Sequence, residues 1–539
     1  MLTKRQLLIA YALTLPVSLL TTAAQGDSLL LRDFQYVKHS DPWLTGRNAA
    51  GLTRYQAPNT AEAELYLQHA KGGLADYCQS SDVLQAGGNV EAFFRINPRT
   101  VVYGRVAYDN FSGRHMMGSA FIDPAHKPFD ITEDSLTNPG TKHRDTYQLT
   151  GAVGYDCARW LSLGLRLDYT AANYAKYKDL RHKNKLMDLV FTAGATVRPF
   201  SWLTVGADYL YHRTTESLQF SLYGVEDKVY KSLINYGPFI GKVEQFASYG
   251  FTGKSFEMPL VDDYNGVEAQ CDVRLLPGLS LYNRFTYQRR QGSYGKKSPY
   301  TNTYTNHDSH GYAYEGRLTL HCGASLHELS AALDIENLRN YLQSYREERD
   351  ENDVTHYEYY DPVKTANRVW VDYAFAYTGY YGIRGNLPTW TLTASVATNK
   401  RKQTAYQYPY LRRQHLRRTQ YSLEGERNIR LRKGILTVAA AVSFANGSDT
   451  PYEDDVMAEP SDKQEAPPDM EAFLQQEFYY LTATQYNVTG QLKYAFLFPG
   501  TRLKTHVRAA LGHSRATSPA IEYCGRNRTT ATVAIGCTF

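Results

Sequence analysis

Five histidines are the residues whose chemistry could most readily serve catalysis. His143, His182, His307, His310 and His356 have aspartate and serine residues near them in the chain, the residue types of a serine hydrolase. None of them stands in a recognisable nucleophile motif. With 15 histidines in 539 residues, neighbours of this kind arise by chance. We therefore predict no enzymatic activity and no cofactor.

Two acidic stretches could in principle bind a cation. Residues 346–361 read REERDENDVTHYEYYD, and residues 453–477 are rich in Asp, Glu and Pro. The spacing of their carboxylates does not match a calcium-binding loop. We interpret both stretches as solvated surface loops and predict no metal site.

A third set of charges alternates with apolar residues. In 161–169 the odd positions are Leu and Tyr while Arg166 and Asp168 occupy even positions, and side chains alternate between the two faces of a strand. Charges avoid hydrocarbon, so they are expected on the inner face of a barrel. The candidate lumen charges are Glu91, Arg95, Arg105, Arg166, Asp168, Asp334, Arg368, Asp372, Glu424, Arg502, Lys504 and Arg508. Such charges could line a water-filled pore or hold the barrel closed through ion pairs.

The elements that position these charges are alternating segments of about 10 to 14 residues, which suits a tilted strand that spans a bilayer. They lie near 61–69, 84–96, 100–112, 145–157, 161–174, 185–198, 203–215, 264–276, 279–288, 310–322, 326–339, 367–381, 389–403, 416–430, 435–445, 483–497, 502–513 and 527–539. Short turns alternate with long connections at 113–144, 216–263, 289–309, 340–366 and 446–482. The sequence predicts an all-β, up-and-down antiparallel transmembrane barrel of about 18 strands (roughly 16–20), with short periplasmic turns and long extracellular loops.

The segment at 528–539 alternates up to its last residue, Phe539. A final strand of this kind is expected to close the sheet against the first one. The pattern resembles the signal read by the bacterial barrel-assembly machinery, for which a terminal Phe is the usual mark. Phe539 is therefore the predicted assembly signal.

The amino terminus predicts export. Residues 1–24 have a basic start, a short apolar run and small residues at the end, which indicates a signal peptide. Residues 25–60 form an amino-terminal periplasmic or plug-like segment, and 61–539 form the barrel. The expected location is the outer membrane of a Gram-negative bacterium, in contact with its lipids. A net charge of only +5 argues against a nucleic-acid partner.

Cys78 and Cys524 are predicted to lie in the first and last outer loops, which meet if the barrel closes. The exported compartment permits a disulfide. The alternative is two unpaired thiols.

Several stretches together resemble an uncharacterised family of outer-membrane barrels from gut Bacteroidota along nearly the whole mature chain. They include residues 41–43 (DPW), 97–104 (NPRTVVYG), 141–145 (TKHRD), 178–185 (KDLRHKNK) and 241–245 (GKVEQ). This resemblance implies location and fold but no established activity. Residues 48–52 (NAAGL) are similar to a segment of the long-chain fatty-acid transporter superfamily, in which an amino-terminal hatch sits inside the barrel.

The function expected from the sequence is passage: a porin-like channel or transporter for a small solute or nutrient. The alternative is a non-transport barrel that partners a surface lipoprotein or an uptake or secretion complex, since long outer loops rich in Tyr suit docking. A TonB-dependent receptor is disfavoured because too few residues precede the first strand to form its large plug.

We predict that deletion of Phe539 lowers the amount of protein in the outer membrane, because the last strand loses its terminal aromatic residue. Fractionation and immunoblotting measure this, with Phe539→Tyr as the control that keeps an aromatic ring. A truncated protein present at the wild-type level would contradict the assignment.

Overall fold

The structure is a computed structural model that describes residues 30–133, 138–224, 229–246, 258–298, 301–498, 500–501 and 503–539. The predicted signal peptide lies outside the described residues. The helices are α1 (Phe34–His39), α2 (Pro42–Thr45), a 3-10 helix (Ala49–Arg54) and α3 (Glu471–Thr482). Among the described residues, every helix is too short or too polar to cross a bilayer.

Eighteen long strands form the barrel, and six short ones lie in its connections. The barrel strands are β1 (Thr60–Lys71), β2 (Asp82–Asn97), β3 (Thr100–Met116), β5 (Gly140–Ala158), β6 (Leu161–Lys176), β7 (Arg181–Phe200), β8 (Leu203–Ser221), β11 (Met258–Leu276), β12 (Leu279–Ser298), β13 (Thr301–Cys322), β14 (Ser325–Leu342), β17 (Val363–Tyr381), β18 (Trp390–Gln407), β19 (Tyr410–Leu431), β20 (Gly434–Ser448), β22 (Gln485–Leu497), β23 (Lys504–Ala516) and β24 (Asn527–Thr538). The short ones are β4 (Asp130–Glu133), β9 (Tyr230–Asn235), β10 (Gly241–Phe246), β15 (Tyr345–Arg349), β16 (Thr355–Tyr359) and β21 (Glu453–Val456).

The sheet closes on itself. Each barrel strand pairs antiparallel with the one before and after it, and β1 also pairs with β24, with Leu65 opposite Ile535. Ala61 and Phe539 exchange backbone hydrogen bonds of 2.9 and 3.0 Å at the seam. The predicted antiparallel up-and-down barrel of about 18 strands is confirmed.

The outer wall is apolar because the strands alternate. On β6, Leu163, Leu165 and Leu167 are 46, 51 and 41% exposed, whereas Ser162 is buried. Large aromatic residues, including Trp160, Phe200, Trp202 and Phe498, are exposed near the short turns. This arrangement is that of a lipid-facing band with an aromatic girdle. We call this rim the turn end and the opposite rim the loop end.

The connections at the loop end differ from those expected. The predicted loop at 289–309 is largely strand, because β12 and β13 extend to Ser298 and from Thr301. The long connections also have structure of their own: β4, β9 and β10 form a small sheet, and α3 lies within the connection before β22. The interpretation of 453–477 as a solvated loop is wrong in part, since Phe473 and Glu477 are buried.

The largest hydrophobic core lies where these insertions meet the wall. Phe121 and Phe129 come from the connection before β5, Ile234 and Phe246 come from β9 and β10, and Leu260 comes from the wall strand β11. Buried apolar side chains that face inward at this rim show that the insertions fill the barrel at the loop end.

We predict that the folded protein migrates differently from the boiled protein on a semi-native gel. A closed sheet satisfies its own backbone hydrogen bonds, so detergent alone does not open it. Membrane-extracted samples are compared with and without boiling. Equal migration would contradict a closed barrel.

Candidate lumenal site: a plug and a polar cavity

Residues 30–58, which we call the plug, lie inside the barrel at the turn end. Short polar residues begin each of its helices: the Asp33 carboxylate accepts a hydrogen bond of 2.8 Å from the Tyr36 amide, and Asp41 accepts one of 3.0 Å from the Trp43 amide. Such caps satisfy backbone donors that a short helix leaves unpaired. The plug therefore satisfies part of its own backbone with local side chains.

A row of glycines on four adjacent strands receives the plug. Gly154, Gly164, Gly194 and Gly206 lie on β5, β6, β7 and β8, and the first two are directly paired, as are the second and third. A Cβ at Gly154 would lie 2.5 Å from the Ala49 carbonyl oxygen, and one at Gly164 would overlap the Ala50 amide. A glycine inside a strand permits another backbone to approach closely, and here the 3-10 helix does so.

Polar contacts fix the same segment to the wall. Asn48 donates a hydrogen bond of 3.0 Å to the Gln270 side chain. The Trp43 indole and the Arg54 guanidinium bind the Asp272 carboxylate at 3.2 and 3.0 Å. Although burial lowers it, the carboxylates of Asp41 and Asp272 raise the pKa of Arg54 above its usual value, so the guanidinium keeps its charge at neutral pH.

Four of the predicted lumen charges bind the plug. Lys38 pairs with Glu91 at 2.5 Å, and Arg95 donates a hydrogen bond of 2.9 Å to the Thr53 carbonyl. Arg166 reaches the Gly46 carbonyl at 3.3 Å, and Lys504 reaches the Arg32 carbonyl at 2.6 Å. Arg166 also holds Asp168, at 2.7 and 2.9 Å.

The other predicted charges are distributed elsewhere. Arg105 donates a hydrogen bond of 3.0 Å to the Asn89 side chain, and Arg508 forms an ion pair with Glu64 at 2.5 Å. Both arginines line the cavity described below. Arg368 donates a hydrogen bond of 2.8 Å to the Lys127 carbonyl at the loop end. Asp334 and Asp372 lie opposite each other on the neighbouring strands β14 and β17. Glu424 lies on the inner face of β19, two residues before the cavity residue Glu426. Arg502 lies outside the described residues.

A second set of lumen contacts, of which the sequence singled out only His307, holds the connection before β5 in place. The buried Asp262 carboxylate accepts two hydrogen bonds from Arg290, at 2.7 and 3.0 Å, and another from His307. The same Arg290 donates a hydrogen bond of 2.9 Å to the His126 carbonyl, and Lys127 forms an ion pair with Glu216 at 2.9 Å. These groups come from strands and a loop far apart in sequence, so no local sequence pattern predicts their contacts.

Beside the plug lies a polar cavity of about 800 Å³, within the roughly 300–1,000 Å³ range of small-molecule sites. Both the plug and the wall contribute to it. The lining residues are Asp33, Gln35, Tyr36, His39, Glu62, Glu64, Tyr66, Gln68, Gln85, Asn89, Arg105, Tyr380, Pro388, Thr391, Glu426, Thr437, Gln491, Lys493, Arg508 and Thr532.

Within this cavity the plug presents Tyr36 and His39. The Tyr36 ring meets Tyr380 edge-on at 5.2 Å between centroids. Desolvation inside the lumen lowers the pKa of His39, and the charges of Lys38 and Arg317 lower it further. The imidazole is therefore neutral at pH 7 and can donate one hydrogen bond and accept another.

The cysteines and histidines are placed as follows. Cys78 and Cys524 are both free in the structure and pack in two different apolar clusters; the disulfide between them remains a prediction. Partners of the histidine rings include Asn184 for His182, Asp262 for His307, Tyr287 for His310 and Asp350 for His356, and His143 contacts Tyr177. In the part of the chain that the structure describes, no group of three or more potential metal ligands comes together.

The fold and the lumen together define a transmembrane β-barrel with an internal plug. The chain matches, over residues 49–539, the family described as "Family of unknown function (DUF6850)", and it belongs to that family. No curated protein matches it in sequence.

Solved structures similar to this chain include three from Gram-negative bacteria. BauA, the ferric preacinetobactin receptor from Acinetobacter baumannii, is 9% identical, with 90% of this chain and 80% of that chain covered and a TM-score of 0.40. The outer-membrane transporter YddB from Escherichia coli is 7% identical, with 90 and 81% covered and a TM-score of 0.39. A FadL homologue from Pseudomonas aeruginosa is 11% identical, with 93 and 94% covered and a TM-score of 0.32.

We predict that Gly164→Val loosens the plug, because the new side chain overlaps the backbone of Ala50 and overpacking costs about 1–3 kcal/mol. Limited proteolysis of the purified barrel should then cleave residues 30–58 faster than in the wild type.

The matched control is Gly151→Val, the same change on the neighbouring strand β5. Gly151 is paired with the outward-facing Leu167, and a Cβ there meets nothing within 4 Å. Equal cleavage rates in the two variants would show that the glycine row does not seat the plug.

Proposed function

We propose that the protein is an outer-membrane barrel of a Gram-negative bacterium that passes a small polar solute through a gated lumen. The observation that carries the proposal is the polar cavity of about 800 Å³ between the plug and the wall. A barrel that served only as a scaffold has no need of a polar space large enough for a small solute and lined by both the plug and the wall. On the rule that short turns face the periplasm, the plug is the inner gate.

The gating part of the proposal rests on how each end is filled. An 18-stranded wall encloses more space than its own inward side chains occupy, so inserted segments fill the rest. The plug is held by hydrogen bonds and ion pairs, such as Asn48 with Gln270 and Lys38 with Glu91, and by an apolar cluster in which Phe34 and Tyr55 pack against Phe93 of β2. The polar contacts can exchange for water when the segment moves, whereas separating the apolar cluster costs more.

The loop end supplies the outer gate. Its inserted connection is held by ionic contacts of Lys127 with Glu216 and of His126 with Glu336, at 2.9 and 3.2 Å. It is also held by the apolar cluster of Phe121 and Phe129. In the proposed closed state, the cavity lies between the plug and these insertions.

A docking role is a second candidate, favoured by one observation. The β15–β16 hairpin carries exposed charges, including Glu347, Glu348 and Arg349, around a cluster of tyrosines in which Tyr345 contacts Tyr357 and Tyr359. Aromatic residues with a charged surround are common at protein interfaces. A surface lipoprotein or a component of an uptake complex would be the partner.

We predict that tying the plug to the wall stops passage. The hydroxyl oxygens of Thr53 and Ser162 lie 3.3 Å apart, so a Thr53→Cys/Ser162→Cys pair brings two thiols close enough to form a disulfide after a small relaxation. In planar bilayers, the wild type should open intermittently, the oxidised double variant should stay closed, and reduction should restore its openings.

Oxidised wild type and the single Ser162→Cys variant are the controls, because they contain the native thiols and the new thiol without the bridge. Openings that persist in the oxidised double variant would refute gating by the plug. A wild type that never conducts, and that co-purifies from native membranes with a lipoprotein, would favour the docking role.

A further inference from the structure

The chemistry of the cavity lining restricts what the cavity can bind. Among the described residues that line the cavity, Pro388 alone has a purely aliphatic side chain, and the others are polar or aromatic. A hydrocarbon chain would gain nothing by leaving lipid for such a wall, because apolar ligands need apolar contact surface. The cavity therefore suits a hydrophilic solute.

Charge restricts the solute further. The lining has four carboxylates, Asp33, Glu62, Glu64 and Glu426, against three cations, Arg105, Lys493 and Arg508. Part of this charge is already neutralised: Arg508 and His506 bind Glu64, and Lys493 lies 4.0 Å from Glu62. The lining carries no excess of positive charge that would select an anion, and its cations offset all but one of its carboxylates.

What remains is a wall of neutral hydrogen-bonding groups. Five amide side chains line it, Gln35, Gln68, Gln85, Asn89 and Gln491, together with the tyrosines Tyr36, Tyr66 and Tyr380. An amide presents a donor and an acceptor side by side, which matches two neighbouring hydroxyl groups on a ring. A tyrosine adds a flat apolar face beside a polar tip.

Several of these groups point at the cavity with their bonding capacity unused. Gln491 and the Tyr380 hydroxyl have no hydrogen-bond partner recorded among the described residues, and Arg105 uses only its Nε, on Asn89. Others, such as Gln35 on Glu62 at 2.9 Å, are held in position by a neighbour. A site with oriented and vacant donors and acceptors is what a polyhydroxylated ligand requires.

We propose that the solute is a neutral polyhydroxylated molecule of saccharide type, small enough to fit the cavity of about 800 Å³. It would sit between the wall strands and α1, with its hydroxyl groups on Gln491, Arg105 and the lining carboxylates. Because the plug contributes Gln35 and Tyr36 to the same lining, the bound solute would contact both the gate and the wall. This inference rests on the proposed passage function and names the substrate class of its site.

The test is binding and efflux with the full-length protein and four probes: maltotriose, trialanine, glucose 6-phosphate and octanoate. Isothermal titration in detergent should show binding of maltotriose and none of octanoate, and proteoliposomes should release maltotriose faster than protein-free vesicles do. Gln491→Ala should weaken maltotriose binding about tenfold, since a vacant amide partner is lost, and Tyr380→Phe should weaken it less.

Gln420→Ala is the matched control. Gln420 is also an inward amide in the wall, on β19, but its side chain bonds Ser422 and does not line the cavity; its affinity should equal that of the wild type. Heat-modifiable migration of each variant verifies that the barrel has formed.

The outcomes separate this inference from the proposed function. Release or binding of trialanine or glucose 6-phosphate without maltotriose would overturn the saccharide class and leave passage standing. Failure of all four probes, with no conductance, would overturn both. Equal losses in Gln491→Ala and Gln420→Ala would place any binding site outside this cavity.

Discussion

Closure of the sheet satisfies the backbone of every barrel strand and sets the size of the lumen. A backbone amide or carbonyl that is unpaired in hydrocarbon costs several kcal/mol, so a membrane strand needs a partner on both sides. Here β1 provides that partner for β24, from Glu62 opposite Thr538 to Lys71 opposite Thr529. Once eighteen strands close, the width of the ring is set, and with it the volume that something must fill.

The two ends of the barrel are filled by different parts of the chain. At the turn end the plug approaches the wall so closely that four strands carry glycine where they meet it, and polar contacts to Gln270 and Asp272 hold it there together with an apolar cluster around Phe93. At the loop end, inserted connections bury aromatic residues such as Phe121 and Phe129 against the wall. The polar cavity is the space that neither the plug nor the inserted connections fill.

Charges inside the ring follow from the same geometry. A charge removed from water needs a partner, and breaking a buried pair is far more costly than breaking an exposed one. The buried Asp262 accordingly binds Arg290 and His307 together, and Glu91 binds both Lys38 and Tyr103. The sequence left open whether the lumen charges line a water-filled pore or hold the barrel closed. In the structure some of them, such as Glu91 and Arg166, bind the plug, whereas Arg105 faces the cavity.

The wall follows from local sequence. Alternation with period two is a local property, so the approximate positions of the strands, a count of about eighteen and the lipid-facing side of β6 could be predicted. The ends of strands were less certain, because β12 runs to Ser298 and β13 begins at Thr301, so that strand occupies much of the predicted loop at 289–309, where no bilayer requires alternation.

What occupies the lumen depends on contacts between distant parts of the chain. Asn48 and Gln270 are 222 residues apart, and Arg290 and His126 are 164 apart, so no window of sequence contains both partners. Gly164 reads locally as one more inward position of an alternating strand, and its role appears only when the backbone of Ala50 is placed against it. The cavity has the same origin, because its shape depends on where the plug stops and the wall continues.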